Sequence, residues 1–103
     1  MDIAEFQKSK KIQESKFLKE FAVEGRERAM LLNTKLMEEV GELSDQLLGK
    51  YQFQRESKKG KYSKEKYEEE LCDVFHMLVL IAEDSGVDLD KVVEKRMQRE
   101  RRE

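Results

Sequence analysis

The chain of 103 residues has no proline, no tryptophan and a single cysteine, Cys72. One cysteine excludes an intrachain disulfide, so the sequence is not that of a small disulfide-stabilised secreted domain. The first residues also lack the apolar core of a signal peptide. We therefore expect a cytoplasmic protein.

Long hydrophobic runs and an excess of one charge sign are missing as well. The longest apolar stretch, residues 74–82, is interrupted by His76, and it is far shorter than the roughly 20 residues that span a membrane. The 21 basic and 23 acidic residues nearly cancel, which leaves a net charge of −2. These features predict a protein that binds neither membranes nor nucleic acid.

The residues that are present are typical of an all-α protein. Charged residues make up 43% of the chain, and the apolar residues recur at helical intervals. The pattern predicts four helices in one domain, residues 1–103. They are expected over residues 2–21, 27–48, 63–85 and 88–102, with a lysine-rich loop over residues 50–62. Gly25, Gly49 and Gly86 are expected at helix ends, and Ser63 and Asp88 at N-caps.

The third predicted helix is apolar on nearly every side. Leu78, Val79 and Ile81 would give it more apolar surface than the other helices of one chain can cover. We therefore expect a homodimer or a homotetramer, in which contacts between subunits cover these side chains.

Acidic residues form two pairs, each with three-residue spacing: Glu39 with Glu42 on the second helix, and Glu70 with Asp73 on the third. Residues at this spacing share one face of a helix. Asp73 is expected to be buried in the apolar third helix, where a carboxylate needs a partner. If the two helices face each other, the carboxylates repel one another unless a cation binds. All-oxygen ligands suit Mg²⁺ or Mn²⁺, and phosphate chemistry is a natural use of such a site.

Other interpretations of the same residues stay open. On the second helix alone, the acidic residues are typical of a solvated face. His76, three residues after Asp73, suggests a di-iron site, but that site needs two Glu-x-x-His motifs and the chain has one histidine. Cys72 and His76 have a spacing that suits zinc, but the sequence shows no further ligands for it.

Two segments resemble the paired ExxE and ExxD motifs of the MazG-like all-α nucleoside triphosphate pyrophosphohydrolases. They are Leu36-Met-Glu38-Glu39-Val-Gly41-Glu42-Leu43 and Glu69-Glu70-Leu71-Cys72-Asp73-Val74. The segment Gly86-Val-Asp88-Leu89 is similar to the opening of the family's last helix. The resemblance covers residues 32–102. Cys72 departs from it, since Gly or Ala is commoner at that position of the family.

The resemblance implies a fold, a reaction and a set of site residues. The fold is the four-helix MazG-like fold, completed by oligomerisation. The reaction is the Mg²⁺-dependent hydrolysis of a (deoxy)nucleoside triphosphate to a nucleoside monophosphate and pyrophosphate, for house-cleaning or nucleotide-pool control. The metal ligands would be Glu39, Glu42, Glu70 and Asp73. Glu38 would be an auxiliary ligand or a base.

Further residues have both a functional and a structural interpretation. Lys95 and Arg99, similar to basic positions of the family, would clamp phosphates, or would be a solvated basic helix end. Phe17 and Phe21 would form a wall for the base, or part of the core. Loop lysines, Lys58, Lys59 and Lys61, would close over the triphosphate, or only solubilise the loop. For the whole chain, the alternative to an enzyme is a catalytically silent helical scaffold or partner-binding module.

Overall fold

The computed structural model describes residues 2–9, 23–51 and 62–102. These residues confirm the all-α prediction, since they contain helices and no strand. The described part of helix α1 covers residues 3–9. Three further helices follow: α2 over Gly25–Lys50, α3 over Lys64–Asp84 and α4 over Leu89–Arg102. No helix in the described residues is long and apolar enough to cross a bilayer.

Side-chain oxygens cap the helices at their first turns, as predicted for α3 and α4. Ser63 Oγ accepts a hydrogen bond from the backbone N–H of Lys66 at 3.1 Å. Asp88 Oδ1 accepts one from the N–H of Lys91 at 3.3 Å. Each bond satisfies one of the backbone donors that a helix start leaves without a partner. The two caps therefore fix where α3 and α4 begin.

The predicted glycine boundaries hold at one position and differ at the others. Gly86 follows α3 with a φ of 70°, the left-handed conformation expected of a residue that ends a helix. Gly25, expected to end the first helix, is instead the first residue of α2, with a φ of 59°. Gly49, expected to end the second helix, lies inside α2, which continues to Lys50. The helix tolerates Gly49 because one interior glycine costs only about 1 kcal/mol relative to alanine.

The chain divides into two compact units. Unit one comprises residues 1–29 and 79–103, and unit two comprises residues 30–78. In unit one, the Gln7 side chain joins α1 to the start of α4. Its amide donates to the carbonyl of Val87 at 2.7 Å, and its Oε1 accepts from the N–H of Leu89 at 3.3 Å. Arg28 and Asp84 form an ion pair between α2 and α3.

Unit two contains the antiparallel helix pair. The buried Gln46 on α2 accepts a hydrogen bond from the N–H of Ser63, just before α3, at 3.5 Å. The Lys50 ammonium lies 5.4 Å from the ring centroid of Tyr67, a cation–π contact at the same end of the pair. Both contacts join the end of α2 to the start of α3. Leu32 and Met77, near the other end, are buried.

The apolar residues of α3 divide between the interior and the surface. Val79, expected to need cover from another subunit, is 0% exposed within one chain. That expectation was wrong for Val79, because the rest of the chain already covers it. Leu78, in contrast, is 48% exposed, and Leu71 and Phe75 are exposed beside it on the helix. Ile81 is half-buried.

Candidate metal centre

Helices α2 and α3 bring three carboxylates of unit two together. One oxygen each from Glu39, Glu70 and Asp73 lies within 4.8 Å of the other two. Glu39 comes from the middle of α2, and the other two come from successive turns of α3. Because the helices are antiparallel, the mid-part of α2 lies beside the first half of α3. We call this group the carboxylate cluster.

Glu70 is the buried member of the carboxylate cluster. The residue is 8% exposed, and its Oε2 accepts no hydrogen bond from any described residue. The Oε2 atom of Glu39 is likewise buried and without a described partner. A buried carboxylate oxygen without a partner is costly, and a bound cation removes that cost. The donor set therefore fits a hard metal ion.

Asp73 lies at the surface, which corrects the expectation that it is buried. The run around it is apolar in sequence, but Asp73 itself is exposed, as are Leu71 and Cys72. Glu70 and Met77 are both buried. They are seven residues apart, about two turns, so they lie on the same face of α3, and this is the face that is buried. The buried carboxylate of α3 that needs a partner is therefore Glu70 and not Asp73.

The surroundings of Glu39 shift its protonation. Burial raises the pKa of the Glu39 carboxyl above its ordinary value of 4.5, and the charges of Glu42 and Asp73 add to the increase. The hydrogen bond and the charge of Lys35 oppose it. Each neighbouring carboxylate disfavours the charged form of Glu39, whereas the ammonium favours it.

Lys35 lies one turn before Glu39 on α2 and contacts two carboxylates. Its Nζ donates to Glu38 Oε1 at 3.1 Å and lies 3.4 Å from Glu39 Oε1. The hydrogen bond to Glu38 raises the pKa of the Lys35 ammonium, and partial burial opposes that increase. Lys35 was not among the site residues predicted from the sequence. It precedes Glu38 by three residues and Glu39 by four, the spacings at which ion pairs form on a helix.

Two other acidic residues of the predicted site lie outside the carboxylate cluster. Glu42 is exposed on α2, one turn after Glu39, and is not among the cluster's members in the described part of the chain. Its charge nevertheless acts on Glu39. Glu38 is also exposed, and one of its oxygens is bonded to Lys35.

Lys95 and Arg99 lie in unit one, on α4. Both are exposed, and both line an open pocket of about 680 Å³. Its other lining residues are Val92, Val93, Arg96, Met97 and Glu100. Arg96 and Glu100 are 3.9 Å apart as an exposed ion pair. Lys95 and Arg99 thus share one face of α4, as their four-residue spacing predicts.

Several residues with a proposed role fall outside the described part of the chain. These are Phe17, Phe21, Lys58, Lys59 and Lys61. Their predicted roles at the base or the triphosphate stay predictions.

Comparison with known families supports the resemblance seen in the two acidic motifs. A family model described as the MazG nucleotide pyrophosphohydrolase domain matches residues 28–102. The match covers α3, α4 and α2 from Arg28 onwards. It includes the acidic candidates on α2 and α3 and the basic pair Lys95 and Arg99, whereas Phe17 and Phe21 precede it. No curated protein and no solved structure matches the chain significantly.

Proposed function

The chain belongs to the family of MazG nucleotide pyrophosphohydrolase domains, and on that premise we propose that it is a Mg²⁺-dependent enzyme. Its substrate would be a (deoxy)nucleoside triphosphate, and its products a nucleoside monophosphate and pyrophosphate. The observation that carries the proposal is the position of Glu70. Its carboxylate is buried, has an oxygen without a described partner, and lies in one cluster with Glu39 and Asp73.

The ligand chemistry favours Mg²⁺, with Mn²⁺ as a substitute. Carboxylate oxygens are the ligands that these hard cations prefer, and Mg²⁺ commonly keeps open positions for water and for substrate phosphates. Glu39, Glu70 and Asp73 would hold the ion. Glu42 would join as a fourth ligand, since it lies one turn from Glu39 and its exposed side chain is free to change rotamer.

The acidic side chains of unit two would bind the metal ion and accept a proton during the reaction. When bound, Mg²⁺ would offset charge on the phosphate oxygens and lower the pKa of a coordinated water. Glu39, Glu70 and Asp73 are the side chains that would hold the ion between α2 and α3. Glu38, as a base, would accept the proton of the attacking water at the carboxylate oxygen that does not contact Lys35. Water would add to the α phosphorus as the bond to the pyrophosphate oxygen breaks.

Lys95 and Arg99 would bind phosphate oxygens with charge-assisted hydrogen bonds. Their shared face of α4 and the pocket that both line support this role. The planar guanidinium of Arg99 is suited to binding two oxygens at once, and Lys95 would contribute a point charge.

A homodimer or homotetramer in the cytoplasm completes the proposal. Leu71 and Leu78, both in unit two, are large apolar side chains left exposed on α3, and a second subunit would cover them. Cys72 is exposed and has no second cysteine in the sequence to pair with. A free exposed thiol suits a reducing compartment.

The test is a panel of nucleoside triphosphates incubated with Mg²⁺, with both products quantified. We expect monophosphate and pyrophosphate in equal amounts. Glu70→Gln should abolish turnover, because it removes the buried charge, whereas Glu69→Gln, at an exposed neighbouring position, should retain it. Release of orthophosphate and a diphosphate would mean that another bond is cleaved. No hydrolysis of any nucleotide would favour the helical scaffold.

A further inference from the structure

The ammonium group of Lys35 contacts Glu39, one of the proposed metal ligands. Its Nζ lies 3.4 Å from Glu39 Oε1, while Glu39 is also a member of the carboxylate cluster. The Glu39 side chain is 12% exposed and that of Lys35 is 32% exposed, so solvent screens this pair only in part. Lysine is charged at neutral pH.

We propose that Lys35 competes with the metal ion for Glu39 and so weakens the affinity of the carboxylate cluster for metal in the absence of nucleotide. This inference rests on the proposed function, since it concerns the same metal site. A carboxylate that is paired with an ammonium binds a metal ion more weakly, because the ammonium partly neutralises its charge. The ammonium also repels a divalent cation nearby. Both effects oppose metal binding.

Glu38 gives the displaced ammonium a place to stay. Its Oε1 bonds Lys35 Nζ at 3.1 Å, closer than the 3.4 Å contact to Glu39, and its side chain is 55% exposed. Lys35 can therefore release Glu39 and keep its bond to Glu38. In that arrangement the ammonium stays beside the site, where substrate phosphates would contribute the negative charge that compensates for it.

A nucleotide would thus raise the affinity for metal in two ways. Its phosphates would supply ligands to the ion, and they would attract the ammonium away from Glu39. We therefore expect the protein to bind metal weakly when no nucleotide is present and more tightly when nucleotide is bound. The geometry assigns Lys35 a regulatory effect on metal loading rather than a place among the ligands.

The experiment measures Mn²⁺ binding by the paramagnetic resonance signal of the free ion, together with thermal melting in chelator. Lys35→Gln and Lys35→Met remove the charge but keep a long side chain. We expect both to bind Mn²⁺ about fivefold more tightly than the parent and to melt at a lower temperature in chelator, because the cluster has lost its counter-charge. A purely structural role for Lys35 would lower both affinity and melting temperature.

Two matched variants complete the design. Lys35→Arg keeps the charge, so its affinity should stay within about twofold of the parent. Lys64→Gln removes a lysine from a similar pair on α3. The Lys64 Nζ lies 4.0 Å from Glu68 Oε1, and the side chains of Lys64 and Glu68 are 83% and 62% exposed. Lys64 itself lies six residues before Glu70, about 9 Å along the helix axis, and the loss of this exposed charge should change neither quantity.

The outcomes separate the inference from the proposed function. In one outcome, the parent binds Mn²⁺, Glu70→Gln abolishes the binding, and neither neutral Lys35 variant binds the ion more tightly. That outcome overturns the inference but supports the metal site. If neither the parent nor the neutral variants bind Mn²⁺, the metal site fails and the inference with it. Tighter binding by the neutral variants supports the inference whether or not the nucleotide panel shows turnover.

Discussion

A carboxylate oxygen of Glu39 on α2 lies within 4.8 Å of one of Glu70 on α3. The two residues are far apart in sequence, and each has an Oε2 atom that is buried without a described hydrogen-bond partner. Two like charges in this position disfavour each other, and burial adds to the cost. The relationship makes the stability of the helix pair sensitive to cations, to pH and to neutralising substitutions.

Divalent metal should stabilise the protein. Titration of Mg²⁺ or Mn²⁺ into chelator-treated protein should raise the melting temperature in proportion to the logarithm of the metal concentration above the dissociation constant, because the ion binds the native state. Glu70→Gln should remove the increase. Differential scanning fluorimetry measures it, and Glu69→Gln, at an exposed position beside Glu70, is the matched control. A parent whose melting temperature does not rise with either metal ion would contradict the metal site.

Glu42→Gln should move activity and stability in opposite directions. The substitution keeps the side-chain volume but removes a charge that acts on Glu39. Turnover should fall by about tenfold or more if Glu42 joins the ligands, whereas the melting temperature in chelator should be unchanged or higher, because repulsion is relieved. Nucleotide assays and melting curves on the same preparation test this. Full activity in the variant would remove Glu42 from the site.

The stability of the chelator-treated protein should fall as the pH rises just above 4.5. The pKa of Glu39 is raised in the folded protein above its ordinary value of 4.5. Between the two pKa values the folded state therefore binds more protons than the unfolded state, and the free energy of unfolding decreases with increasing pH. Denaturant unfolding at a series of pH values, compared with Glu39→Gln, isolates this contribution. A parent and a variant with parallel profiles would contradict it.

Lys95→Ala and Arg99→Ala should each weaken turnover while the fold is retained. Each removes one charge-assisted contact to phosphate, so kcat/KM should fall by about tenfold in each variant. Arg101→Ala, also on α4 but not among the residues that line the pocket, should leave it unchanged. Circular dichroism checks the fold. Unchanged kinetics in both variants would favour the solvated helix end.

The parent should sediment as a dimer or a tetramer at micromolar concentration. Leu78→Glu should shift it towards the monomer, because the leucine is 48% exposed on α3 and a charge there would be buried on association. Lys66→Glu, at an exposed position of the same helix, is the control for added negative charge. Sedimentation velocity separates the species. A folded monomeric parent would contradict the proposed assembly.

Much of the site was predictable because it depends on spacing within single helices. The pairs Glu39 with Glu42 and Glu70 with Asp73 share a helix face whatever the rest of the fold does. Caps at Ser63 and Asp88 were predictable for the same reason, since a capping side chain reaches only the first turn. Lys35 belongs to this class too, as its contacts to Glu38 and Glu39 lie within one turn.

Burial was not predictable in the same way. The apolar run on α3 suggested that Asp73 is buried and that Val79 needs another subunit. In the structure Asp73 is exposed, and Val79 is fully covered within the chain. Periodicity defines a face of a helix, but it does not say which face the neighbouring helices cover.

The sequence by itself determined the helical class, the residues that share each helix face and the acidic motifs of the family, because these are properties of short segments. Only the tertiary structure decided that Glu39 meets Glu70 and Asp73 rather than all the acidic residues converging. It also decided that Glu70 is the buried member of the carboxylate cluster. The reason is physical. The contact depends on how α2 and α3 are rotated and aligned against each other, and many side chains beyond the motifs set that alignment.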